Sequence, residues 1–405
     1  MIPRSGGVAP GSPRTVSPGV RNEGFISRRK FVHDNEVETV VKLAVLHDFL
    51  ETIGGGERVA LTLAKHLGAD LITTDFDPAI LQRLDMAGVN VISLGPLARR
   101  PPLKQIDASW KFAQARLDDY DFHFLVGNWA HYAAKRHHPN VYYCLTPTRA
   151  FFDQRQAVLS RFSWTGRLAA RAWIGMQSRL ERRSIRHCDD VIAISETVRA
   201  RIRRSYGRDA KVIHPPVATR RFRFRELGDF WLAVSRLYPE KRIELQLEVF
   251  RRLPAERLVL VGGHAPGDMA ERYVARLRPP PNVTLLGEIP DERLADLYAR
   301  CRGFLTTAVD EDFGITPVEA MAAGKCVLAT DEGGYRETVV DGKTGFLLPP
   351  DANRIAAKIR ELDEVTLDSM RGACIGQARM FDETVFLEKM TALVAESHES
   401  TRNPT

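Results

Sequence analysis

From Lys42 onward the chain alternates between short aliphatic or β-branched runs and longer stretches whose apolar positions recur every three or four residues. The runs are KLAVLHD, ADLITTD, VNVISL, FHFLVGN, VYYCLT, DVIAIS and KVIHPP. Continuous apolar strands separated by helices predict a parallel sheet covered on both faces. The alternation pauses at HPPVATRRFRFRELGD, residues 214 to 229, where two prolines and an Arg/Phe alternation without helical period predict an extended linker. A second series then begins: FWLAVS, RLVLVGG, NVTLLG, GFLTTA, CVLATD and TGFLLPP, again separated by helical patterns such as PDERLADLYARC. The predicted class is α/β. Residues 41–215 form an N-terminal domain, 216–229 a linker, 230–380 a C-terminal domain, and 381–405 a final helix and tail. A ligand is expected at the carboxyl ends of the strands and, in a two-lobed protein, in the cleft between lobes.

Ahead of these domains, residues 1–40 read as a disordered tail. Eleven of the first twenty-two residues are Gly, Pro or Ser, and no apolar period offsets the entropy of ordering them. The whole chain, 405 residues with 44% hydrophobic and 27% charged, has ordinary globular composition. No stretch approaches the roughly 20 consecutive apolar residues that cross a bilayer, and no apolar core follows the N-terminal arginines as in a secretory signal. Five cysteines, Cys144, Cys188, Cys301, Cys326 and Cys374, are odd in number and lack any C-x-x-C pair. Neither a disulfide framework nor a zinc site is indicated, and a cytoplasmic location is expected.

The net charge of +7 is local, because residues 155 to 208 hold thirteen arginines against four acids. Ala169, Trp173, Met176 and Leu180 form an apolar stripe at helical spacing, with Arg179, Arg182, Arg183 and Arg186 beside it. The arginines read either as a solvated flank beside a core stripe or as a peripheral contact with anionic headgroups at the inner face of a membrane. No reader motif or aromatic platform accompanies them, so nucleic acid is not an expected partner.

The segment VDEDFGITPVEAMAAGKCVLATD carries the most chemistry. Thr316, Pro317 and Glu319 have the spacing of a capping box with proline in the first turn, and Gly324 ends the helix. Just before it, Asp310, Glu311 and Asp312 crowd onto the loop leaving GFLTTA, and Gly314 leaves room for a ligand against the backbone. A helix N-terminus suits a phosphate, whereas three carboxylates suit hydroxyls. The expected ligand therefore joins a phosphate to a sugar or ribose.

The same segment resembles the E-x7-E region of retaining glycosyltransferases with the GT-B fold, family 4 (group 1) in particular. SRLYPEK, NVTLLGEIPDERLADLYARC and GGYRETVVDGKTGFLL are similar to three further blocks of that family, and GGGERVALTLAKHL to its Gly-rich turn and first helix. The resemblance covers roughly residues 42 to 390 and implies two Rossmann-like parallel-sheet domains facing each other across a cleft. It implies a nucleotide-sugar donor whose diphosphate is held by Arg236 and Lys241, by backbone at Gly314, Ile315 and Thr316, and by Gly55 and Gly56. Glu311 is then placed near the transferring sugar, with His131 as a second catalytic position, and Glu319 on the ribose, where its capping reading competes.

YYCLTPTRAFFDQ resembles a segment found in polysaccharide and O-antigen mannosyltransferases that use GDP-mannose. Thr146, Arg149 and Asp153 match it and are assigned to the acceptor side, whereas Leu145 and Phe152 depart from it. The implied acceptor is a glycan or lipid-linked saccharide. Asp75-Phe76-Asp77 and Asp310-Glu311-Asp312 both spell D-x-D, a pattern that elsewhere binds a divalent cation. The first lies beside a proline and the second lies inside the E-x7-E match, so no metal and no other cofactor is expected. A sugar-nucleotide epimerase and a non-catalytic membrane or glycan adaptor are the alternative functions.

Overall fold

The computed structural model describes residues 29–31, 39–100, 102–264 and 270–402. They fall into two compact units, Met1–Asn140 and Val141–Thr405. All thirteen apolar runs become strands, and the reason is visible in burial: every residue of the strands Leu43–His47, Phe122–Val126 and Gly303–Thr306 is buried. No described helix is long and apolar enough to cross a membrane.

In the first unit, β1 (Arg29–Phe31) pairs antiparallel with β2 (Thr39–Val41). This ribbon lies at the end of the stretch read as an unstructured tail, where β-prone Thr39, Val40 and Val41 supply a local strand; residues 1–28 and 32–38 lie outside the described residues. The chain continues through β3 (Leu43–His47), α1 (Gly55–Leu67), β4 (Asp70–Thr73), α2 (Ala79–Arg83), β5 (Val91–Ser93), α3 (Leu103–Gln114) and β6 (Phe122–Val126). These four later strands are parallel in the order β5-β4-β3-β6. Helix α1 turns Val59, Leu63 and Leu67 inward and stops at Gly68, whose φ of 61° lets its N–H reach the carbonyls of Ala64 and Lys65.

Strand β7 (Asn140–Cys144) begins at the last residue of the first unit, and the second unit continues with α4 (Arg155–Leu159), α5 (Trp164–Ile185), β8 (Asp190–Ala193), α6 (Glu196–Tyr206) and β9 (Lys211–Val212), with β8 parallel to both β7 and β9. The linker expected at 214–229 holds one short 3-10 turn, Thr219–Arg221. Next come β10 (Phe230–Val234), α7 (Ile243–Arg251), β11 (Arg257–Val261), α8 (Ala270–Val274), β12 (Val283–Gly287), α9 (Asp291–Arg300), β13 (Gly303–Thr306), α10 (Ile315–Ala322), β14 (Val327–Thr330), α11 (Tyr335–Thr338) and β15 (Gly345–Leu348). These six strands form one parallel sheet ordered β12-β11-β10-β13-β14-β15. After α12 (Ala352–Glu361) and α13 (Glu364–Arg379), helix α14 (Glu383–Arg402) returns to β7, setting Phe386 edge-on to Tyr143 at 5.6 Å.

The stripe expected to bury α5 is corrected by the structure. Ala169, Met176 and Leu180 are exposed and Trp173 is only half-buried; the buried side runs through Ile174, Gln177, Ser178, Glu181 and Ile185. Of the polar groups there, one carboxylate oxygen of Glu181 is engaged, whereas its Oε2 and the Gln177 Oε1 are buried without a hydrogen-bond partner among the described residues. Glu181 accepts hydrogen bonds from the Tyr206 hydroxyl at 2.5 Å and the Thr148 amide at 3.2 Å. The five cysteines are all buried free thiols.

Candidate active site

In the six-stranded sheet the chain leaves β10 toward β11 and later returns on its other side at β13. That reversal opens a crevice at the carboxyl ends of β10 and β13, where open parallel sheets bind ligands. Arg236 and Lys241 follow β10, and the loop carrying Asp310, Glu311 and Asp312 follows β13. The two segments are stitched together: the Val309 amide donates to the Glu240 carbonyl at 2.7 Å, and the Thr307 hydroxyl to the Lys241 carbonyl at 2.9 Å. Lys241 Nζ and Glu311 Oε2 meet at 2.7 Å, both about four-fifths buried at 20% and 21% exposure. Arg236 is exposed, lies 5.2 Å over the Tyr238 ring, and makes no ion pair among the described residues.

Glycines let the acid loop close on its neighbours. A Cβ on Gly333 would sit 2.4 Å from the Glu311 carbonyl oxygen, and one on Gly334 would sit 2.4 Å from the Phe313 Cα. The Gly-Gly step ahead of Tyr335 is thus a contact surface for the backbone of residues 311–313, and the Gly334 amide donates to the Glu311 carbonyl at 2.7 Å. Gly314 takes φ 95°, a left-handed value that glycine adopts without steric cost, and itself caps α10. The capping-box reading is therefore corrected. Thr316 lies inside α10, no side chain caps its N-terminus, and Glu319 accepts from the Tyr298 hydroxyl at 2.9 Å. Left-handed Gly314 starts the helix two residues earlier than Thr316 would. Gly324, at φ 71°, follows the helix end as expected.

Each acid of the loop faces a cation. Glu311 faces Lys241, and the other two face Arg201 of α6, a side chain only 2% exposed. Its guanidinium reaches Asp310 Oδ2 at 2.9 Å, the Asp310 carbonyl at 2.6 Å, the Asp312 carboxylate in a short contact, and the Thr146 hydroxyl at 3.1 Å. Arg149 adds a bond to the Asp310 carbonyl at 3.3 Å and one to Asp153 at 3.0 Å. Ser195, the N-cap of α6, donates to the Asp312 carbonyl, while Glu337 accepts from the amides of Glu196 and Thr197 at 2.7 and 2.9 Å. Behind the loop, Arg242 grips Glu332 with both terminal nitrogens, at 2.7 and 3.1 Å.

The structure therefore gathers Arg236, Lys241, Glu311, Gly314, Ile315, Thr316 and Glu319 around one sheet end, and it ties Thr146, Arg149 and Asp153 to the same acid loop. Sequence reading missed Arg201, Arg242, Glu332 and Glu337. Arg201 lies more than a hundred residues from the loop it holds, among twelve other arginines with nothing local to distinguish it. Among the described residues no group of three or more His, Cys, Asp or Glu is arranged to hold a metal.

The first unit repeats the same logic at its own reversal, between β3 and β6. Asp48, directly after β3, accepts the amides of Asn128, Trp129 and Ala130 at 2.6, 2.8 and 2.9 Å, and so fixes the turn that follows β6. A Cβ on Gly127 would collide with that carboxylate at 2.6 Å. The turn leads into the 3-10 helix Ala130–Lys135, which carries His131. Burial lowers the His131 pKa to about 3, so its ring is neutral over the physiological range. Gly55 and Gly56 are the first two residues of α1. Asp75 and Asp77 accept the amides of Leu97 and Ala79, both at 3.0 Å.

The chain is 33% identical over 216 residues to a GDP-mannose-dependent α-(1-6)-phosphatidylinositol monomannoside mannosyltransferase of Mycolicibacterium smegmatis, covering 47% of this chain and 56% of that one. It is 30% identical over 182 residues to α-1,3/1,6-mannosyltransferase ALG2 of Dictyostelium discoideum, covering 39% and 42%. The matched region thus spans about half the length of these curated relatives. Anabaena HepE, solved with UDP-glucose, superposes with a TM-score of 0.69 at 21% identity over 88% of this chain and 100% of that one, a likeness that gives the fold. The model described as Glycosyltransferase Family 4 matches residues 53–221, and the one described as Glycosyl transferases group 1 matches 219–379. With two Rossmann-like parallel-sheet domains matched in succession, the chain belongs to the group 1, family 4 glycosyltransferases of the GT-B fold.

Proposed function

We propose that this protein is a retaining, metal-independent glycosyltransferase that moves mannose from GDP-mannose onto a glycan or lipid-linked saccharide. The observation that carries the reading is the Lys241–Glu311 pair at the sheet reversal, with exposed Arg236 alongside. Cleavage of the sugar–phosphate bond leaves growing negative charge on the departing diphosphate. Arg236 offers a planar donor fork and Lys241 a mobile point charge for those oxygens. The free amides at the start of α10, Ile315 and Thr316, add a positive helix end that needs no reorganisation during reaction.

Glu311 is the acceptor for the sugar's hydroxyls, Glu319 for those of the ribose, and Gly55 and Gly56 present backbone to the diphosphate. His131, held neutral by burial, serves as a hydrogen-bonding group toward the sugar. As the bond from the anomeric carbon to the diphosphate breaks, the acceptor oxygen bonds that carbon and its proton passes to the leaving diphosphate. Retention rests on the family resemblance. Asp310, Glu311 and Asp312 are each engaged by a cationic side chain, which favours hydroxyl and loop-holding roles over metal binding.

The names of the two mannosyltransferases above support mannose, and the one that specifies its donor supports GDP; the UDP-glucose complex of HepE shows that this fold accepts another base and sugar. Thr146, Arg149 and Asp153 serve the acceptor side, and the enzyme works in the cytoplasm, peripherally at the inner face of a membrane. A thermal-shift panel of GDP-, UDP-, ADP- and dTDP-sugars tests the reading. Ligand at about 100 times its Kd adds about 2.7 kcal/mol to native stability, so GDP-mannose should stand out. No binding by any nucleoside diphosphate or its sugar at millimolar concentration would overturn the reading, and a new sugar nucleotide formed without acceptor would favour an epimerase.

A further inference from the structure

Helix α5 turns an unusual face to solvent. Trp164 is 82% exposed, Leu168 70%, and Met176 and Leu180 44% each; Phe162, just ahead of the helix, is 45% exposed. Trp164, Leu168 and Ala172 follow one another at steps of four, and Arg179, Arg183 and Arg186 continue the same outward side at steps of seven, four and three. Trp164, Leu168 and Ala172 make the N-terminal half of that line apolar, flanked by exposed Arg167 and Arg171, and the C-terminal half is cationic, where Arg179, Arg182, Arg183 and Arg186 line one shallow depression.

No acid interrupts this face. The sole carboxylate between residues 155 and 188 is Glu181, which is 1% exposed and points inward. Arg179, Arg183 and Arg186 make no ion pair among the described residues, whereas Arg199, Arg201 and Arg203 nearby are all paired. A merely solvated face would intersperse both signs of charge and hide its large apolar side chains. A second copy of the chain would set the arginine cluster against its own image or against the apolar half. A bilayer surface accommodates both halves: aromatic and aliphatic groups enter the headgroup boundary while guanidinium groups meet lipid phosphates.

The geometry points to the outward face of α5, with Phe162, as an in-plane docking surface for membranes rich in anionic phospholipid. It names the surface for the peripheral location proposed above, and it is independent of the transfer chemistry. The test is sedimentation of the full chain with vesicles of phosphatidylcholine alone or with about one-third phosphatidylglycerol, without donor or acceptor. Binding to the anionic vesicles should be at least about five-fold greater and should weaken as salt shortens the Debye length.

The triple substitution Arg179→Glu, Arg183→Glu and Arg186→Glu should abolish that preference. Trp164→Ser with Leu168→Ser should lower binding even at low salt. Both variants should melt like the parent and show the same thermal shift with nucleotide sugar, which separates failure of this surface from failure of the proposed activity. Equal binding to both vesicle types, or binding to neither, overturns the proposal. So does a dimer in sedimentation velocity that Trp164→Ser and Leu168→Ser dissociate without lipid.

Discussion

Replacing Arg201 by Met keeps the unbranched stem that fills the interior and removes only the guanidinium. Left behind are the Asp310 and Asp312 carboxylates, 45% and 31% exposed, and a Thr146 hydroxyl that has lost a donor. Breaking a fully buried ion pair by deleting one partner costs about 3–5 kcal/mol. Because Asp310 can turn to water, the expectation here is about 2–4 kcal/mol. At roughly 2–4 °C per kcal/mol for a unit of this size, the melting temperature should fall by about 5–15 °C. Adding Asp312→Asn removes one orphaned charge and should restore at least about 1 kcal/mol, a coupling read from the double-mutant cycle.

The loop held by Arg201 also carries Glu311. Loosening it should weaken binding of a nucleoside diphosphate about ten-fold, equivalent to 1.4 kcal/mol. Arg201→Lys, which keeps the charge but not the fork, should fall between parent and Arg201→Met. Urea denaturation and isothermal titration calorimetry supply the numbers. An Arg201→Met protein within 1 kcal/mol of the parent, with unchanged nucleotide affinity, would show that the buried arginine is not what holds the acid loop.

Glu311→Gln removes the carboxylate that engages Lys241, so initial-rate assays should show transfer reduced at least about 100-fold while calorimetry shows nucleoside diphosphate affinity held or increased; a parallel loss of affinity would contradict the assignment. Burial raises the Glu181 pKa to about 7 from its ordinary 4.5, so the folded protein keeps a proton that the unfolded chain has released. That contribution to stability is present below about pH 4.5 and falls as pH climbs through 7, by up to about 3 kcal/mol, so Glu181→Gln should gain on the parent in melts between pH 5 and pH 8. Constant spacing of the two melting curves across that range would argue against the shift. Turnover should survive EDTA within about two-fold, and loss that manganese restores would place a metal in the mechanism.

Strand order and helix direction lie outside the reach of local pattern, but the strands themselves do not. Runs such as KLAVLHD and CVLATD are apolar on both sides because both faces of a parallel strand are covered, and that requirement is written in consecutive residues. Likewise, the residues named around the candidate site converge because strand ends and adjacent loops carry them, and GGYRETVV proves to be the surface against which residues 311–313 rest. Local pattern misjudged two helices. Periodicity reports that α5 has an apolar stripe, but only the neighbours Tyr206 and Thr148 show that the Gln177–Glu181 side is the one packed inward. At α10 the Thr-Pro-x-Glu spacing fits a capping box, yet the left-handed backbone of Gly314 starts the helix earlier.

Composition, strand positions and candidate ligand-binding residues were thus determined by the sequence itself, since each depends on what a residue is and on its near neighbours. The tertiary structure alone decided which cation meets which acid: Lys241 with Glu311, Arg201 with Asp310 and Asp312, and Arg242 with Glu332. Charge attraction acts through space, and folding brings together groups 70 to 111 positions apart that no spacing along the chain connects.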